Sequence, residues 1–69
     1  MTPEQIKVIE ENTDLVESIQ EGYSGRCMYG ETTHAIIVNQ YDRDEAEKFL
    51  IENNIPYRLD NMGFDWVLY

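Results

Sequence analysis

Sixty-nine residues allow one domain and no more, and a chain this short buries only about 60% of its unfolded surface, which leaves no deep cavity walled by its own core. Fourteen acidic side chains against five basic ones give a net charge of −9, which repels nucleic-acid phosphates and anionic lipid headgroups and argues against direct binding of nucleic acid or membrane. The 42% hydrophobic and 12% aromatic content lies well above the disordered class, so residues 1–69 are expected to form a single compact domain.

In chain order, Thr2, Pro3 and Gln5 make a helix start: Thr2 can cap, Pro3 suits the first helical position, and Gln5 sits where a capping box needs its return bond. Two readings of the helix end stand side by side. At about 100° per residue Val8, Ile9, Leu15, Val16 and Ile19 share one arc, with Glu10, Asp14, Glu17 and Glu21 opposite, which predicts one helix from residue 3 to about residue 20. Asn12, Thr13 and Asp14 instead form a turn cluster, which would make residues 15–23 a strand. The segment GYSGRCMYG, from Gly22 to Gly30, holds three glycines in nine residues and reads as a loop or hairpin tip. Residues 32–39 follow, with Ala35, Ile36, Ile37 and Val38 apolar on both alternating faces, as a central strand would be.

Asp42 is then placed to cap a second helix with Glu45 at the capping-box position, and Ala46, Phe49 and Leu50 repeat at i, i+3 and i+4. Asn53, Asn54 and Pro56 stop it. The remainder reads as a hairpin: residues 57–60, a turn at Asn61, Met62 and Gly63, then residues 64–69 with Phe64, Trp66 and Leu68 on one apolar face. The expected fold is α+β, in the order α-(β)-β-α-β-β, with an antiparallel or mixed sheet and helices packed on one face. Its core would gather Ile9, Ile37, Phe49, Leu50, Trp66 and Leu68.

No catalytic constellation stands out. Cys27 and His34 are the only thiol and imidazole; a reactive thiolate needs nearby positive charge, and Arg26 is its one local source. A structural zinc site takes four Cys or His ligands where this chain has two, so no metal is expected. DRDEAEKFLIEN lacks the glycine and glutamate spacing of a calcium loop. Asp44 and Glu45 are explained by the helix dipole, and Asp44 to Lys48 by an i, i+4 pair. The expectation is a protein that is not an enzyme and holds no cofactor. A single cysteine builds no disulfide framework and points to a reducing compartment. The opening MTPEQIKVIEEN has neither a basic region nor a long apolar run, so no leader is expected and the location is taken as cytoplasmic.

Two features suit recognition. Tyr23, Arg26 and Tyr29, interleaved with glycines, have the composition of a protein-binding loop. Glu10, Asp14, Glu17 and Glu21 would form one helical stripe with neighbours about 5–6 Å apart, a row that stands in for a line of phosphates. Such a surface would occupy a partner that normally grips nucleic acid through Lys and Arg. The competing reading makes the Gly22–Gly30 loop a small-ligand or nucleotide site, its backbone N–H groups and Arg26 facing an anion. It matches neither the phosphate-loop pattern nor the dinucleotide fingerprint. Exposed strand edges and a thin core also allow a homodimer.

Tyr23-Ser24-Gly25-Arg26, then Cys27 and Gly30, an apolar strand, a helix and the closing YRLDN…FDWVLY hairpin, resemble small uncharacterised phage- and prophage-encoded proteins with a Tyr-Ser-Gly-(Lys/Arg) loop rich in Cys and Gly. Met28 and Tyr29 depart from that loop. The resemblance implies a phage origin, action in the host cytosol and kinship in kind with anti-defence inhibitors, including anti-CRISPR proteins that imitate DNA. It also favours the strand reading of residues 15–23. The function expected from all of this is that of an acidic binding protein, an inhibitor or DNA mimic, that engages a basic protein surface.

Overall fold

The computed structural model describes residues 1–23 and 33–69. Its elements run α1 (Pro3–Asn12), β1 (Val16–Tyr23), β2 (Thr33–Asn39), α2 (Arg43–Glu52), β3 (Leu59–Met62) and β4 (Asp65–Leu68), an α+β arrangement in the expected order. The capping box of α1 forms in full: Thr2 Oγ1 accepts from the Gln5 N–H at 3.2 Å, and Gln5 Oε1 accepts from the Thr2 N–H at 2.9 Å.

Of the two readings of residues 15–23, the strand is correct. Asn12 Nδ2 donates to the Val8 carbonyl at 2.7 Å, and Thr13, already extended at φ −152, gives its hydroxyl oxygen to the Leu15 N–H at 3.2 Å. The Thr13 hydroxyl thereby takes the Leu15 N–H that a further helical turn would direct to the Glu11 carbonyl. The helix to residue 20, and with it a helical stripe of Glu10, Asp14, Glu17 and Glu21, is not formed.

The second helix differs from expectation at its start. Asp42 is the N-cap residue but has a helical backbone and makes no side-chain cap bond. Its own N–H donates to the Asn39 carbonyl at 2.9 Å, and this tight turn replaces the extended cap geometry that lets a carboxylate reach the next turn of N–H groups. Asp44 pairs with Arg43 at 3.6 Å instead of Lys48, which faces Glu52 at 4.0 Å. At the other end Asn54 adopts φ 56, a left-handed conformation that asparagine tolerates, and releases the chain toward β3.

The sheet has the order β1-β2-β4-β3 with every neighbouring pair antiparallel. β2 is central, as its two-sided apolar run requires. Met62 pairs with Asp65 across a two-residue turn of Gly63 and Phe64, where Gly63 takes φ 83, the conformation a tight hairpin asks of its first central residue. The hairpin is therefore shifted from the expected one: β3 begins at Leu59, and Phe64 lies in the turn, 80% exposed, outside the apolar face.

On one side of the sheet Ile6 and Ile9 of α1 and Ala46 and Leu50 of α2 pack with Ile36, Val38, Ile55 and Leu68. Phe49 and Trp66 border this core half-buried. Ile37 does not join it. Its pairing with Val67 puts it on the opposite face, beside Ala35, Val67, Tyr69 and Tyr23.

Candidate partner-binding surface

Glu10 lies near the C-terminus of α1, Asp14 in the connection that follows, and Glu17 is the second residue of β1. The chain folds back sharply between α1 and β1, and these three exposed carboxylates line one shallow groove together with Thr13, Val16, Ser18 and Ile19. Glu17 sits at a bulge, where the pairing passes from Val16–Val38 to Ser18–Ile37. The extra residue is left out of the ladder at the sheet edge. The described salt bridges involve Arg43, Asp44, Glu47, Lys48 and Glu52; Glu10, Asp14 and Glu17 have no ion pair among the described residues. Glu21, further along β1, lies outside the groove.

Tyr23 works within the fold. Between Gln20–Ala35 and Tyr23–Thr33 the register slips again, around Gly22 at φ 76. A glycine bulge of this kind reverses the side on which the next residue stands, and Tyr23 comes to lie with Ala35 and Val67. Its ring meets Tyr69 edge-on, with centroids 5.0 Å apart, and its hydroxyl donates to Asp60 on β3. The side chain thus straps one edge strand to the other across the face opposite α1 and α2. Gly22 and Tyr23, read from sequence as part of the glycine loop, end β1, whereas Arg26, Tyr29, Cys27 and the remainder of that loop, with most of the expected small-ligand site, lie outside the described residues.

A second feature was not singled out by sequence reasoning. Tyr41 is 85% exposed and Phe64 80%, with Met62 at 55%. Both aromatics stand on turns fixed by asparagine: Asn39 Oδ1 accepts from the Tyr41 N–H at 3.0 Å, and Asn61 Oδ1 accepts from the Gly63 N–H at 2.7 Å. The Gln40 N–H donates to the Phe64 carbonyl at 3.0 Å and ties the two turns together. Asp42 directly follows Tyr41 and Asp65 directly follows Phe64 in the chain. Arg43, the basic side chain of this region, is already engaged: its guanidinium lies 4.4 Å from the Trp66 ring centroid and its Nε lies 3.4 Å from Glu47 Oε2. A glycine opening a two-residue turn was the cue for an exposed Phe64.

Next to that pair, the Tyr57 hydroxyl donates to Glu47 Oε1 at 2.7 Å. This bond, followed by burial and the Glu47 charge, holds the phenol above its ordinary pKa, with Arg43 acting the other way. His34 is half-buried on β2, and its backbone N–H donates to the Met1 carbonyl at 3.3 Å. Among the described residues no group of three or more His, Cys, Asp or Glu is placed to hold a metal ion, and no helix is long and apolar enough to cross a membrane. Comparison with known proteins returns no matching family model, curated protein or solved structure.

Proposed function

We propose that this chain is a non-enzymatic binding protein whose acidic side engages a basic protein surface, in the manner of an inhibitor or DNA mimic that occupies a nucleic-acid-binding site. The groove between α1 and β1 carries the reading: Glu10, Asp14 and Glu17 gather there with no ion pair among the described residues. Like charges held together repel, and a partner bearing Lys and Arg relieves that repulsion on contact. A chain of net charge −9 also steers such a partner from a distance, and the complex weakens as salt screens it.

The test is capture on immobilised protein from a lysate of the host cell, washed at rising salt, with the wild type beside the E10Q/D14N/E17Q variant. The variant keeps exposed side chains of similar size and relieves repulsion, so its melting temperature should hold or rise. The expected result is a nucleic-acid-handling or defence protein that salt releases and the variant does not retain. Equal retention by the variant, or a partner indifferent to salt, overturns the proposal.

A further inference from the structure

The pairing of the strands places the acidic groove and the two aromatic turns at one end of the sheet. Val16 lies opposite Val38, and Val38 opposite Trp66. Asp14 therefore precedes β1, Tyr41 follows β2 and Phe64 precedes β4, all at the same end, on adjacent strands about 5 Å apart. Lone exposed apolar residues are ordinary on a protein surface. Here two aromatics and Met62 share one end, and both aromatics stand on turns already locked by hydrogen bonds, so their presentation costs a complex little ordering.

We infer that this sheet end is the anchoring part of the partner surface, with Tyr41 and Phe64 entering an apolar slot on a protein whose rim carries Lys or Arg. The inference rests on the acidic-binding reading above and names where the partner docks. Aromatic side chains dominate binding energy when a ring of polar contacts shields them from water. Asp42 and Asp65 supply that ring, while Arg43 is engaged by Trp66, Glu47 and Asp44. Charge decides the occupant. A second copy would bring the same carboxylates and another net charge of −9, whereas a cationic protein meets complementary charge at the rim and an apolar centre.

The defined probes are an oligolysine peptide and a helical Lys/Leu peptide of the same net charge, titrated by calorimetry at low and at physiological salt. The wild type should bind the Lys/Leu peptide at least about tenfold more tightly than oligolysine, as an apolar anchor requires. The Y41A/F64A variant should keep its melting temperature and its oligolysine affinity while losing that preference. No preference in the wild type, or an equal preference in the variant, overturns the anchor but leaves the acidic reading standing. Failure of either peptide to bind in a salt-dependent way overturns the acidic reading itself. Sedimentation showing a wild-type dimer that Y41A/F64A abolishes also overturns the inference, in favour of a second copy.

Discussion

On the side of the sheet that carries α1 and α2, Ile36, Val38 and Leu68 meet Ile6, Ile9, Ala46 and Leu50. On the other side Ala35 and Val67 are just as buried; among the described residues they cluster with Tyr69, bordered by Tyr23 and Ile37, and with no helical residue. The first face is held by many interchangeable apolar contacts, each non-directional. Among the described residues the second is joined by the Tyr23–Tyr69 ring pair and by a hydroxyl that reaches Asp60 from across the sheet. Each face also carries one tyrosine-to-carboxylate bond, Tyr57 to Glu47 on the helical side and Tyr23 to Asp60 on the other. Among the described residues the contrast shows two ways to close a sheet: bulk burial beneath α1 and α2, and a directional strap on the opposite face.

That contrast breaks most visibly at Leu50, which is fully buried. Leu50→Ala should cost about 2–5 kcal/mol, comparable to the whole stability of so small a domain. Chemical denaturation would measure it, and a loss below about 1 kcal/mol would show that the helical face is not the main source of stability. On the opposite face, Tyr23→Phe keeps the ring against Tyr69 and removes the hydroxyl that bonds Asp60. The half-buried setting puts the expected loss near the lower end of about 1–3 kcal/mol, a drop of several degrees in melting temperature. An unchanged melting temperature would mean that the strap contributes nothing and that ring packing alone holds this face.

Much of the fold was legible because its signals are local. Thr2, Pro3 and Gln5 fix a helix start within one turn, and the two-sided apolar run of β2 places that strand at the centre. The end of α1 was not legible from periodicity, for a physical reason. Leu15, just before β1, and Val16 and Ile19 within it pack against the same core that they would have faced from a longer helix, so the apolar pattern fits both. The extended backbone of Thr13 and the bond of its hydroxyl oxygen with the Leu15 N–H mark where the helix ends. Phe64 misleads similarly, since its alternation with Trp66 and Leu68 is real but the turn takes Phe64 out of the strand. The facing of Tyr23 depends on a bulge that leaves no periodic trace beyond Gly22. Glu10, Asp14 and Glu17 could be picked from charge alone, although they meet through a fold-back and not along a helix. Tyr41 and Phe64 escaped because aromatics in a pattern read as core unless the turn geometry is known.

The smallest expected effect sharpens the comparison at its polar contacts. Tyr57 borders a core already held by burial, so Tyr57→Phe should cost less near neutral pH than Tyr23→Phe, within the range of about 0.5–1.5 kcal/mol for a single hydrogen bond. Its signature lies in alkaline solution. The bond to Glu47 and that carboxylate's charge disfavour the phenolate, so the folded pKa stands above the ordinary value of about 10. The folded state then holds its proton when the unfolded state has begun to lose it, and the stability tied to Tyr57 is complete below about pH 10 and declines as pH rises toward the folded value. Melting temperatures taken from pH 8 to pH 11, a window of about three units around that value, should fall more steeply for the wild type than for Tyr57→Phe. Parallel curves would show that the Tyr57 proton is not coupled to folding, and that on the helical face burial acts without a titrating polar partner.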